Sequence, residues 1–224
     1  MDAHSFIPQL PHIVSLFAGL MLLGTLVFLT QKGLLACINL YMLHSFFLVL
    51  ILIVIAFGMG ETHLYAGAAI TFLLKVVLIP GMFFWLIKQI DIKREVQFYI
   101  NTSTSLIIAA ALVLFAFDIT HRVFDFAHFA VSETAITLSL AMLFIGFFIM
   151  ISRTQALNQM LGLLIVENSL FLLASVTTFG IPLVLEIGIS FDVLIALLIM
   201  GIFIFKINQT FHHIDVSRLQ KNKE

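Results

Sequence analysis

The sequence predicts an all-α integral membrane protein of about seven transmembrane helices, on three observations. Of its 224 residues, 62% are hydrophobic and only 10% are charged, against about 25% charged in an ordinary soluble domain. The apolar residues come in runs close to the ~20 needed to cross a ~30 Å hydrocarbon core. The Lys and Arg residues between those runs fall almost entirely on one side of the resulting topology.

Applied in order, the length rule places helices over residues 12–30, 33–57, 64–87, 103–117, 134–151, 156–177 and 181–206. The start, MDAHSFIPQLPH, has no basic stretch and no small-residue cleavage site after the apolar run, so it is expected to be kept as a first span rather than removed as a signal peptide. The fourth run is the shortest: Asp118, His121 and Arg122 close it early, and it is expected to be tilted or partly interfacial. Residues 1–118 then form a four-helix region, 119–133 an external loop, 134–211 a three-helix region and 212–224 a tail.

Orientation follows from the positive-inside rule. Of the 11 basic residues, nine (Lys32, Lys88, Lys93, Arg94, Arg153, Lys206, Arg218, Lys221 and Lys223) share one side, Arg122 takes the other, and Lys75 lies within a helix. The N-terminus is expected outside and the C-terminus in the cytoplasm. Omitting the fourth helix would scatter the basic loops over both faces.

Composition also excludes some functions. The single Cys37 rules out a disulfide framework within the chain and offers no metal cluster. The basic residues form no nucleic-acid face, and no Gly-rich phosphate loop or haem-spaced histidine pair is present. His121 and His128, seven apart in the external loop, match no compact metal-ligand pattern. No cofactor is expected in this chain.

Four ionisable residues lie deep in the apolar runs. His44, Lys75, Glu167 and Asp192 each fall at about the eleventh or twelfth residue of a predicted helix, and at 1.5 Å per residue that is roughly 16 Å, close to the bilayer midplane. An ionised group there costs roughly 2.5 to 3.5 kcal/mol on insertion scales, so the row demands a partner charge, an ion or a proton. His44 alone reads as a hydrogen-bonded packing residue served by Ser45 or Asn39. Lys75 is too central to snorkel easily. Glu167 and Asp192 either neutralise Lys75 structurally or leave one carboxylate over for proton transfer, with Asn168 and Ser190 as hydrogen-bonding neighbours. Glu186, nearer the outer face, reads equally as an anchor or a proton uptake point. Pro80, five residues after Lys75, is expected to kink the third helix.

A weak internal similarity accompanies this row. TQKGLLACINLYMLHSFFLVL resembles RTQALNQMLGLLIVENSLFLL, and GAAITFLLK resembles EIGISFDVL. The two three-helix units are four helices apart, so they form a parallel repeat rather than an inverted one.

These residues carry a family resemblance. The segment from about Leu143 to Phe211, with its polar turn at Arg153–Asn158, the mid-helix Glu167 followed by Asn168, and the second acid Asp192, resembles the small three-helix subunit of respiratory complex I called NuoK in bacteria. With four helices in front and LVLEIGISFDVLIALLIMGIFIFKI near the end, the chain is similar to component E of hydrogenase-4, from the membrane arm of formate-hydrogenlyase-type group 4 [NiFe] hydrogenases. The resemblance implies a non-redox subunit of an oxidoreductase complex in the bacterial cytoplasmic membrane, not an enzyme by itself. It also implies antiporter-like subunits and a quinone-subunit-like anchor as partners. Glu167 and, with Asp in place of Glu, Asp192 would stand in a lateral proton path; Lys75 and His44 have no counterpart in the three-helix relative, and their assignment rests on depth. A scaffold without proton transfer and a stand-alone secondary transporter are the alternatives.

Overall fold

The computed structural model describes residues 7–60, 63–89, 100–123 and 132–178, together with Ile195, Leu198 and Gly201. Among the described residues the secondary structure is helical, with six helices long and apolar enough to cross a membrane. The expected seventh helix lies outside them, except that Ile195, Leu198 and Gly201 are helical and Gly201 is buried. A Cβ on Gly201 would meet Leu86 Cδ1 at 2.8 Å, so the end of the third helix and Gly201 approach closely.

Helix α1 spans Leu10–Thr30, with Pro11 in its first turn where a missing N–H costs nothing. Helix α2, Leu34–Met59, ends on Gly60, whose φ of 72° is a left-handed cap that a side chain would strain. Helix α3 is continuous through three stretches: α-helical His63–Thr71, a π-helical Phe72–Leu78 and α-helical Ile79–Gln89. Helix α4 is Thr102–Val123, α5 Glu133–Ser152 and α6 Ala156–Thr178.

Two elements differ from the sequence expectation. Helix α4 does not stop at residue 117 but runs on through Arg122, long enough to span. Asp118 and Arg122 are exposed and one turn apart, with Arg122 Nε donating to both carboxylate oxygens at 2.8 and 2.9 Å. Mutual neutralisation at the helix end keeps the polar residues helical. Pro80 also acts otherwise than as a simple kink. Ile79 N–H bonds Leu74 O, five residues back, so the ladder has already widened before the proline, whose ring would crowd an α-helical carbonyl four residues earlier.

Helices α1 and α5 run parallel, joined at both ends. At one end Ser15 Oγ and Ser132 Oγ lie 2.7 Å apart, and Ser132 also caps α5 by accepting from Ala135 N–H. At the other end Arg153 Nη2 donates to Phe28 O and Leu29 O at 3.1 and 3.0 Å. Helix α2 packs on α6 and α3, and α4 on α5. The tightest seam is α5 against α6: a Cβ on Gly146 would meet Val166 Cγ2 at 2.7 Å, and one on Gly162 would meet Met150 N at 3.0 Å. Glycine is used here for close approach of backbones, the small-residue packing that helices adopt where lipid supplies no hydrophobic drive.

Two apolar clusters fill the interior. One, built around Phe28, Leu34, Tyr41, Phe83, Ile149 and Leu161, occupies the end where Arg153 sits. The other, around Val14, Leu52, Leu64, Ile136 and Phe171, occupies the Ser15–Ser132 end. His44, Ser45, Lys75 and Asn168 are buried and belong to neither cluster.

Candidate functional site

Lys75 Nζ lies 2.9 Å from Glu167 Oε1, with side-chain exposures of 1% and 10%. The lysine comes from the π-helical part of α3 and the acid from the middle of α6. A π turn changes the angle between successive side chains, and such segments recur at functional positions. The ammonium also stands 5.3 Å from the Phe171 ring centroid, one turn beyond Glu167 on α6, within cation–π range. Two opposite charges held in the interior attract strongly, yet each has lost its hydration, so the pair is not by itself a large source of stability.

Beside the pair is a neutral polar group. Asn168 Nδ2 donates to Ser45 Oγ at 2.8 Å and reaches His44 Nδ1 at 3.2 Å. With the amide donating, Nδ1 is the acceptor and a neutral ring carries its proton on Nε2. The sequence offered Ser45 or Asn39 as partners for His44. Asn39 is exposed instead, and the partner is Asn168 on another helix, because residues five apart on one helix do not share a face. Tyr41 lies one turn before His44 on α2.

Three buried polar atoms around this group have no hydrogen-bond partner among the described residues: His44 Nε2, Glu167 Oε2 and Asn168 Oδ1. His44 Nε2–H is a donor, while the Glu and Asn oxygens are acceptors. Of the five residues the sequence singled out, Lys75, Glu167 and His44 stand in this interior group. Asp192 and Glu186 lie outside the described residues.

Sequence reasoning missed two contributors. Tyr41 is signalled only by its spacing of three from His44. Arg153 was counted as an ordinary loop charge, whereas it is 1% exposed, holds the α1 carbonyls and lies 6.0 Å from the Phe28 ring centroid. Burial pulls its pKa down to about 10, which leaves it protonated at neutral pH. No local signal separates such an arginine from a solvated one.

The fold and this interior define a class: a multi-pass, all-α membrane protein with a buried Lys–Glu pair and hydrogen-bonded His and Asn between two apolar layers. Comparison of the sequence gives distant, nearly full-length likenesses. It is 27% identical over 217 residues to the uncharacterized protein Rv0085 of Mycobacterium tuberculosis, covering 95% of this chain and 96% of the relative. It is 25% identical over 207 residues to hydrogenase-4 component E of Escherichia coli K12, covering 92% and 95% respectively. No family model and no solved structure matches the chain.

Proposed function

We propose that the chain is a membrane subunit of a complex-I-related, membrane-bound group 4 [NiFe] hydrogenase of the formate hydrogenlyase type, in the bacterial cytoplasmic membrane. In this reading it carries no redox centre and contributes Lys75, Glu167, His44 and Asp192 to a lateral proton path, with Glu186 as a secondary member. Support comes from the 25% identity to hydrogenase-4 component E across 92% of the chain and from the interior geometry. Its partners would be antiporter-like subunits and a quinone-subunit-like anchor.

The observation that carries the proton-path part is the half-satisfied carboxylate: Glu167 Oε1 is held by Lys75 while Oε2 has no partner among the described residues. Protonation of Oε2 cancels the negative half of the pair, so a change in the charge around it shifts the balance between salt bridge and neutral acid. The test is Glu167→Gln in the whole complex. Assembly should persist and hydrogen evolution should lose its coupling to proton movement in sealed vesicles; full coupling in an assembled complex would reject the path.

The same 2.9 Å pair also favours a second reading, a scaffold in which Lys75 and Glu167 only neutralise each other. That reading predicts loss of assembly from Lys75→Met and no coupling defect that assembly does not explain.

A further inference from the structure

The Lys75 ammonium has a second partner besides Glu167. It carries three N–H donors, and the carboxylate oxygen it meets at 2.9 Å is its one printed acceptor among the described residues. Nζ also stands over the Phe171 ring, 5.3 Å from the centroid, and Phe171 is the one aromatic side chain among the described residues within cation–π range of it. Residues four apart share a helix face about 6 Å apart along the axis. Glu167 and Phe171 therefore form a two-part cradle on α6 into which Lys75 reaches from α3. Both sides of the ring contact are desolvated, with Lys75 at 1% and Phe171 at 5% exposure, and a cation–π contact is stronger there than at an exposed site.

The two halves of the cradle differ in one respect. The carboxylate loses its charge when it is protonated or replaced by an amide, whereas the negative face of the ring is permanent. We propose that Phe171 is a positioning residue for Lys75: its ring face holds the charged ammonium in place on α6 beside Glu167, and goes on holding it when Glu167 is neutral. The role goes beyond both readings of the ion pair, because the ring acts on Lys75 whether or not Glu167 exchanges its proton. It also supplies a reason for Glu167→Gln to assemble, since the buried lysine keeps one of its two partners.

Phe171 belongs to the apolar cluster at the Ser15–Ser132 end, so packing has to be separated from cation binding. Fluorination does so, since it withdraws charge from the ring face stepwise and alters the ring's shape little. In the full chain the Phe171 ring is replaced site-specifically by its trifluoro and pentafluoro forms, and reversible unfolding is followed in lipid bicelles. The pentafluoro ring should raise the unfolding equilibrium constant by about tenfold, the size of a desolvated cation–π contact, with the trifluoro ring between. In Glu167→Gln the penalty should be at least as large, and in the combined Lys75→Met, Glu167→Leu variant it should vanish. The Lys75 Cε protons, assigned by their loss in Lys75→Arg, should carry an upfield ring-current shift in both the wild-type chain and Glu167→Gln, and Phe171→Leu should abolish it. A fluorination penalty that persists undiminished without the two charges, or disappears in Glu167→Gln, overturns the proposal. So do Lys75 resonances that ignore Phe171→Leu.

Discussion

Lys75 on α3 and Glu167 on α6 meet at 2.9 Å in the interior, the only ion pair among the described residues in which both partners are largely buried. Neither residue belongs to an apolar cluster, and the two clusters lie toward opposite ends of the helices from the pair. Lys75→Met leaves an unpaired carboxylate and should destabilise the chain by about 3–5 kcal/mol. Lys75→Met combined with Glu167→Leu removes both charges and should recover most of that loss. Thermal unfolding in detergent measures both, and a double variant no more stable than the single one would show that the pair stabilises through more than charge balance.

Asn168 serves two partners from one amide group, Ser45 Oγ at 2.8 Å and His44 Nδ1 at 3.2 Å. Asn168→Leu strands both at once and should cost about 1–3 kcal/mol, the range for leaving buried polar atoms unsatisfied. Ser45→Ala removes one of the two bonds and should cost less. The two changes should be markedly non-additive in a double-mutant cycle, because they share a bond.

Arg153 ties the end of α5 to the end of α1 through Phe28 O and Leu29 O. Arg153→Ala should cost about 3 kcal/mol, from two charge-assisted bonds at the lower end of their range. Arg153→Lys keeps the charge but not the planar fork, so it should recover only part of the loss. The folded pKa of about 10 lies below the ordinary arginine value. Burial of the charge is therefore a cost that is fully present below the folded value and relieved only as pH rises above it. Stability should show no titration from this residue between about pH 6 and 9, and unfolding scans across that range check it.

Gly146 and Gly162 bring α5 and α6 together where backbone atoms bound the space, Val166 N at 3.1 Å and Met150 N at 3.0 Å. Alanine at either position should destabilise by about 1–3 kcal/mol, since a backbone cannot turn aside as a side chain does. Gly146→Ala should act additionally on the polar interior, because Val166 precedes Glu167. Gly19→Ala, where an added Cβ meets nothing within 4 Å, should be neutral or stabilising. Melting temperatures of the three variants provide the comparison.

Much of this architecture is legible in one sequence. Apolar run length gives the spans, because the bilayer sets a fixed distance and every backbone polar group must be satisfied within a helix. The depth count also places His44, Lys75 and Glu167 near one level, which needs only the rise per residue. Helix α4 was read too short because Asp118 and Arg122 look like a stop signal one at a time and cancel as a pair.

By itself, then, the sequence determined the membrane class, the described spans apart from α4's length, and the common level of His44, Lys75 and Glu167, since each depends on local composition and a constant rise. Only the tertiary structure decided that Lys75 pairs with Glu167, that Asn168 rather than Asn39 serves His44, that Arg153 is a buried clamp, and that α3 widens before Pro80. Depth fixes where along a helix a side chain lies but not which way it faces. Direction depends on helix rotation and packing, which small residues such as Gly146 and Gly162 set through contacts distant in the chain.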